Sequence, residues 1–375
     1  MTTDPPRLGN RPALDGVRAV AVVLVVLFHT WTAAAPGGLV GVDIFFVLSG
    51  FLITALLLDE RRLTGRISLA LFYSRRALRL LPALLVLLLA CVLFAALEPT
   101  SWLARPTLRG VPFSLGYTAN WAYAYGTDLG LLAHTWSLSV EEQFYLLWPL
   151  VLIGLLRWRG PRTALVACVA GIGAVWLTRL AMVAHGTPWL PVYGSFETRA
   201  DALLCGCALA LATHLGLLRR LPGWLLATTG VLGISGLAWV IRMPSPYDWL
   251  LHGGFTVVAI CAALVLAALV PRPWAPLVAV LSLPALARLG RVSYGVYLWH
   301  FPLILVLYPQ PSSRDAGSFV VVLGLAWGVA ALSHALVETP FLRLKQRLGG
   351  AGTSATAPVE VRTPIGTASP AEGSA

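Results

Sequence analysis

Charge is what this 375-residue chain has least of: only 11% of its residues are Asp, Glu, Lys or Arg, against about a quarter in soluble domains. With 58% hydrophobic residues and a mean hydropathy of +0.78, the composition excludes a water-soluble globular protein and leaves a polytopic membrane protein. Cysteine is scarce. All five (Cys91, Cys168, Cys205, Cys207, Cys261) fall in apolar runs and read as small buried residues, not as disulfides or metal ligands. Cys205 and Cys207 fall on different helix faces, which discounts a redox pair. Internal repeats, a Gly-rich phosphate loop, a His-Glu-x-x-His pair and a Gly-x-Ser-x-Gly elbow are all missing, so neither a metal nor a tightly bound cofactor is expected. No cleavable signal peptide is legible. Met1 to Pro12 is polar, and the first apolar run is long enough to span, so it is expected to act as an uncleaved signal-anchor.

What is there is a series of apolar runs. They predict an all-α polytopic bundle of about ten spans, at 14–34, 40–58, 79–97, 141–156, 163–184, 199–217, 222–241, 253–270, 293–309 and 318–340. With the N-terminus inside, twenty basic residues collect on one side. They include Arg61, Arg62, Arg66, Arg75, Arg76 and Arg79, and only six lie in the spans or on the other side. That asymmetry is a positive-inside signal, so both termini are expected in the cytoplasm of a multi-pass plasma (inner) membrane protein. It also accounts for the net charge of +11 without nucleic acid. The expected organisation is a cytoplasmic segment over 1–12, a membrane domain over 13–345, and a disordered cytoplasmic tail over 346–375, which is rich in Gly, Ala, Thr, Pro and Ser.

The first span carries an ionisable residue at each end of an apolar run, Arg18 and His29. Eleven residues place them about 16 Å apart along the axis and about 20° apart around it, so both point the same way. Arg18 reaches an interface. His29 is expected about halfway through the membrane, facing the bundle interior or a water-filled cavity, as a structural histidine or as a functional one. The second span opens with Asp43 near its external end, and Ser49-Gly50 reads as a packing pair. The most basic loop leads into Phe72-Tyr73-Ser74-Arg75-Arg76-Ala77-Leu78-Arg79, where Arg76 and Arg79 share a helix face. Topology, anionic lipid and a phosphate clamp all account for such a cluster. A clamp would use guanidinium forks, with Phe72-Tyr73 available to a nucleotide base.

Residues 98–140 form the longest external segment, with a short helix expected over 108–124. It runs into His134-Thr135-Trp136-Ser137-Leu138-Ser139-Val140-Glu141-Glu142-Gln143-Phe144-Tyr145. Ser137 or Ser139 suits a helix cap, with Glu141 or Glu142 in the first turn, yet a cap needs only one carboxylate. Arg199 and Asp201 stand at another external helix start, where a mutual ion pair is the plain reading. In the ninth span Tyr294, Tyr297 and Trp299 suit an interfacial belt, and His300 beside Pro302 suits a structural histidine bonded to freed carbonyls. Glu338 closes the last span near the cytoplasmic face.

Taken in order, these motifs resemble the acyltransferase family 3 proteins, bacterial integral-membrane O-acyltransferases. The likeness rests on Arg18-x10-His29, Phe46-Val-Leu-Ser49-Gly50-Phe51, Arg75-Arg76-Ala-Leu-Arg79-Leu-Leu-Pro82, Trp136-Ser137-Leu-Ser-Val-Glu141-Glu142-Gln-Phe144-Tyr145, Arg199-Ala-Asp201, Ser293-Tyr294-Gly-Val-Tyr297-Leu-Trp-His300 and Val337-Glu338. It covers about residues 10–345. Thr339 stands where the family often has Arg. Some members carry a further extracellular hydrolase-like domain; here acceptor specificity is expected to reside in the membrane part. The resemblance implies transfer of an acyl group, acetyl first, from cytoplasmic acyl-CoA to a hydroxyl of an envelope glycan, a lipid or a secondary metabolite. His29, Arg18 and Glu141 would be catalytic, with His29 a general base or an acyl carrier and Glu141 or Asp43 orienting its imidazole. Arg75, Arg76 and Arg79 would hold the donor. Asp43, Trp136, Ser137, Glu142, Tyr145, Arg199, Asp201, Tyr297, His300 and Glu338 would support them or meet substrate. The competing class is a non-enzymatic transporter using His29 and Glu141 as a proton relay.

Overall fold

A computed structural model describes residues 11–270 and 273–341; the expected disordered tail and most of the N-terminal segment lie outside the described residues. The chain is all helix, with no strand among those residues. Helices α1 (Pro12–Thr30), α2 (Gly41–Thr64), α3 (Leu69–Leu97), α4 (Ala104–Leu115), α5 (Ala119–Ala124), α6 (Thr135–Trp158), α7 (Pro161–Ala184) and α8 (Trp189–Gly194) make the first half. Helices α9 (Phe196–His214), α10 (Gly223–Arg242), α11 (Tyr247–Trp249), α12 (Phe255–Leu269), α13 (Ala275–Leu281), α14 (Pro284–Arg291), α15 (Ser293–Leu307) and α16 (Ala316–Ser333) make the second. Eight of the described helical stretches are long and apolar enough to cross a membrane. The shorter apolar α15 and the 19-residue α9, which carries Glu197, Arg199 and Asp201, account for the other two expected spans. The molecule is thus a multi-pass helical membrane protein.

α1 is the central post, packed against α2, α13, α14, α15 and α16. Its close neighbours depend on missing side chains. A Cβ on Gly16 would strike the Leu281 carbonyl, and one on Gly290 would strike the backbone of Asp15. α1 begins at Pro12, where a missing N–H costs nothing. It ends at Thr30, earlier than the expected span, because Trp31 leaves the helical region and two 3₁₀ turns follow before Gly41. His29 therefore stands in the last turn, not mid-helix. Arg314 closes this end by donating to the His29 carbonyl at 3.5 Å.

Two more boundaries move, for one reason. α3 starts ten residues before its expected span, capped by Ser68, and α6 starts six residues before its own. Hydropathy marks where a helix meets lipid, whereas the polar first turns of these two helices are held by protein. Arg75, Arg76 and Arg79 thus lie on a helix. Glu141 and Glu142 sit about two turns inside α6, and none of Ser137, Ser139 or the two glutamates caps it. Ser139 instead donates to the Thr135 carbonyl and accepts the Ala119 amide that starts α5.

The α2–α9 crossing is close from both sides. Gly50 faces the Leu203 carbonyl and Gly206 faces the Val47 carbonyl, leaving no room for a methyl on either side. The packing reading of Gly50 therefore holds. Gly50→Ala is expected to destabilise the fold by about 1–3 kcal/mol, the usual cost of overpacking. Thermal unfolding of the purified protein in detergent measures it, and an unchanged midpoint would contradict the crossing.

Candidate active site

Two cavities meet back to back at one end of α2. The first, about 250 Å³, is lined by Arg18 of α1, Ser49 of α2, Arg76 and Arg79 of α3, Ser137, Glu141 and Tyr145 of α6, and Tyr294 and Tyr297 of α15. The second, about 220 Å³, is lined by Phe28 and His29 of α1, His134 and Trp136 around the start of α6, Trp189, Tyr193 and Tyr247, and Tyr297 and Phe301 of α15. Val42 and Tyr297 line both. The Tyr297 hydroxyl donates to the His134 carbonyl at 2.9 Å and shares a hydrogen bond with Ser137. Tyr297 is therefore a partition between the two cavities and not part of an interfacial belt.

Within the arginine cavity the charges are mostly paired. Arg18 donates to Asp15 at 2.7 Å. Arg76 lies 3.5 Å from Glu142, with its guanidinium carbon 3.3 Å from the centre of the Tyr145 ring. Glu141 accepts hydrogen bonds from both Ser49 and Tyr145. Arg79 is different. It is exposed in the cavity mouth and makes no hydrogen bond or ion pair with any described residue. Three guanidiniums face three carboxylates, and one fork of each sign has no ionic partner. Arg75 does not line this cavity, which corrects its grouping with Arg76 and Arg79. Tyr73 spends its hydroxyl on the Leu146 carbonyl at 2.8 Å and Phe72 packs against it edge-on, so that pair does not line the cavity either.

In the histidine cavity, His29 Nδ1 lies 2.8 Å from the Val25 carbonyl. A carbonyl only accepts, so Nδ1 carries the proton and Nε2 keeps its lone pair. Among the described residues no carboxylate bonds to this ring. Glu141 is in the other cavity and Asp43 is held elsewhere, which corrects both as orienting partners. Two further imidazoles converge here: the His300 ring is 5.3 Å from His29 and 5.5 Å from His134. His300 Nδ1 faces the Tyr297 carbonyl one turn back on α15, whereas the carbonyl that Pro302 leaves without its helical donor is that of Leu298. His134, which in the sequence is only the residue that opens the Trp136 motif, lines the same cavity. The signal for it in the sequence is an ionisable side chain at the start of a membrane helix.

The remaining expected residues are structural in geometry. Arg199 pairs with Asp43 at 2.8 Å, and Asp201 pairs with Arg179 at 2.6 Å, so the expected Arg199–Asp201 pair does not form. Two residues apart on a helix, they face opposite ways. Arg199 also lies over the Phe255 ring at 3.7 Å and the Tyr193 ring at 5.1 Å, behind the wall of the histidine cavity. Glu338 lines neither cavity and pairs with His334 at 3.2 Å in a π-turn. No cluster of three or more metal-ligating side chains occurs among the described residues.

The sequence matches the family model described as an acyltransferase domain over residues 11–336. The chain is 35% identical over 350 residues to the peptidoglycan O-acetyltransferase OatA of Listeria monocytogenes, covering 88% of this chain and 55% of that protein. It is 31% identical over 347 residues to the O-acetyltransferase OatA of Staphylococcus aureus, covering 88% and 57%. It is 35% identical over 349 residues to the putative peptidoglycan O-acetyltransferase YrhL of Bacillus subtilis, covering 88% and 54%. The chain thus spans a little over half the length of these relatives. No solved structure matches it. The match across nearly the whole membrane bundle, on the helices that build both cavities, places this chain in the acyltransferase family 3.

Proposed function

We propose that this protein is an integral-membrane O-acyltransferase. It moves an acyl group, acetyl first, from acyl-CoA at the arginine cavity to an acceptor hydroxyl at the histidine cavity. The observation that carries the reading is the shared wall. A cationic cavity and a cavity holding a basic imidazole nitrogen are separated by the Tyr297 side chain. Coenzyme A is a polyanion, and a guanidinium without an ionic partner at the mouth is what its phosphates would meet. The basic residues at that end fit a cytoplasmic orientation, where acyl-CoA is made, and leave the histidine cavity facing outward. The names of the relatives favour an acetyl group and an envelope glycan.

The chemistry follows from the His29 tautomer. Nε2 takes the proton of the acceptor hydroxyl as its oxygen attacks the thioester carbonyl, the C–S bond breaks, the thiolate leaves on the arginine side and takes a proton from solvent, and the His29 imidazolium releases its own proton to solvent, restoring the base. Tyr297 must swing aside for the thioester to reach the hydroxyl, and rupture of its bonds to Ser137 and His134 is the step that admits it. The proton-relay transporter reading finds no support in the geometry, because His29 and Glu141 line different cavities.

Arg79→Ala is expected to weaken acetyl-CoA binding by roughly tenfold to a hundredfold, the worth of one charged hydrogen bond to phosphate at about 1.5–3 kcal/mol. Arg79→Lys is expected to restore only part, since it loses the fork. Calorimetric titration of acetyl-CoA checks this, and unchanged affinity in Arg79→Ala would remove the donor from this cavity. The test of the whole reading uses sealed vesicles of known orientation, with acetyl-CoA on the arginine face and a membrane-impermeant acceptor on the other. Transfer across the membrane is expected. Transfer only with both substrates on the arginine face would overturn the two-sided arrangement.

A further inference from the structure

A third cavity lies at the end of the bundle where the basic residues collect, and it shares no lining residue with the other two. It holds about 250 Å³ between the turn that joins α2 to α3 and the last turns of α6. Three of the residues around it are arginines, Arg61, Arg66 and Arg157, and none is Asp or Glu. Arg61 donates to the Leu156 carbonyl at 3.5 Å and so closes the end of α6. The guanidiniums of Arg66 and Arg157 make no hydrogen bond or ion pair with any described residue. Glu60, next to Arg61, accepts the Ser68 amide at 2.9 Å and fixes the turn. Gly65 ends α2 in the left-handed region, and the space a Cβ would take there is open.

Helix ends account for part of this charge. The C-termini of α2 and α6 each present about half a negative charge, which together offset about one of the three guanidiniums and leave about two positive charges over. Only an anion balances them. The surroundings say which anion. Arg157 heads a stripe on α6 in which Leu146, Leu150 and Ile153 recur at helical spacing, and Leu146 and Leu150 are exposed. Trp158, exposed beside Arg157, suits the level of lipid headgroups. A free phosphate would meet the arginines and leave the stripe bare. A fatty chain without a headgroup would cover the stripe and leave the arginines unbalanced. A zwitterionic lipid would bring a cation into the cluster. An anionic phospholipid satisfies both parts. We infer that this third cavity binds one anionic phospholipid, with its phosphodiester between Arg66 and Arg157 and an acyl chain along Leu150 and Leu146. The lipid ties the α2–α3 turn to the end of α6, helices that also wall the arginine cavity. The inference does not rest on the acyltransferase reading.

The experiment is native mass spectrometry of the delipidated full chain in detergent. The probes are phosphatidylglycerol, phosphatidylcholine with the same chains, and deacylated glycerophosphoglycerol. Phosphatidylglycerol is expected to bind about tenfold more tightly than phosphatidylcholine, the effect of one charge at headgroup level, and more tightly than its own deacylated headgroup. The double variant Arg66→Ala, Arg157→Ala is expected to bind phosphatidylglycerol about thirtyfold more weakly, the effect of two basic residues. Arg219→Ala, Arg220→Ala removes the same charge from the turn after α9 and is expected to leave binding unchanged. Phosphatidylglycerol is also expected to raise the unfolding midpoint of the wild-type protein and not that of the first double variant, whose lipid-free midpoint reports its folding. Arg66→Lys, Arg157→Lys keeps both charges and loses both forks, so it is expected to bind with intermediate affinity even where the alanine variant does not fold. Equal affinity for the two lipids, unchanged binding in a folded Arg66→Ala, Arg157→Ala protein, wild-type affinity in the lysine variant, or an equal loss in the Arg219, Arg220 variant overturns the inference. Binding of the deacylated headgroup as tight as that of the intact lipid, or displacement of the lipid by acetyl-CoA, overturns it as well and makes the cavity a site for a soluble phosphate.

Discussion

His29→Ala is expected to lower acyl transfer by about 10²–10⁴-fold, the usual contribution of a positioned general base, while acetyl-CoA binds with unchanged affinity. The two readouts separate because His29 and Arg79 line different cavities with Tyr297 between them. A more searching variant is His29→Asn. The Asn amide reproduces the Nδ1–H that donates to the Val25 carbonyl at 2.8 Å, but it puts nothing where Nε2 stands. If the imidazole only ties off the last turn of α1, His29→Asn keeps activity. If Nε2 takes the acceptor proton, His29→Asn is as inactive as His29→Ala although it folds normally. Steady-state rates with detergent-solubilised protein, alongside acetyl-CoA titration, decide the matter. A folded His29→Asn protein transferring acyl groups at the wild-type rate would falsify the catalytic assignment.

Why was so much of this visible in the chain, and why did some of it stay hidden? Long apolar runs announce membrane helices because lipid offers the backbone no partners, and each of the ten expected spans coincides with a helix. Periodicity likewise told that Arg18 and His29 share a face of α1. Depth was harder. His29 is expected at mid-membrane because eleven residues set it about 16 Å from Arg18 at the interface, but Trp31 leaves the helix and the chain turns through 3₁₀ segments towards Gly41. Pairing between distant helices was out of reach. Arg179 lies in the apolar run 163–184 and so announces that it needs an acid. Nothing local says whether that acid is Asp43, Asp201 or Glu197. The partition at Tyr297 is likewise a product of how α1, α2, α6 and α15 converge, and no single helix carries a trace of it. Five aromatics of the histidine cavity, Tyr123, Trp136, Trp189, Tyr193 and Tyr247, come from the 98–140 segment and from α8 and α11, which in sequence look like surface loops.

Arg179→Leu is expected to destabilise the protein by about 3–5 kcal/mol, the range for removing one partner of a buried ion pair. Arg179 is fully buried on α7, and its Nη2 donates to Asp201 of α9 at 2.6 Å. Its Nη1 donates to the Thr198 carbonyl at 2.7 Å, and Thr256 at the start of α12 donates to the same Asp201 oxygen at 2.6 Å. Three helices are thus joined at one carboxylate, at the level of the Arg199–Asp43 pair that backs the histidine cavity. Leucine at position 179 leaves the buried Asp201 charge with only the Thr256 hydroxyl and the Ala202 amide as donors and with its ionic partner gone. Its desolvation, and not the lost attraction, is the larger part of the loss. The double variant Arg179→Leu, Asp201→Leu removes both charges and is expected to lose much less than the two single variants together, giving a coupling energy of several kcal/mol. Arg179→Lys keeps the charge but cannot reach both the Thr198 carbonyl and Asp201 with one fork, so it is expected to fall between wild type and Arg179→Leu. Unfolding midpoints in one detergent give the cycle. An Arg179→Leu protein within about 1 kcal/mol of wild type, the range of an exposed ion pair, would mean that the pair is hydrated and that the three-helix junction is held by packing alone.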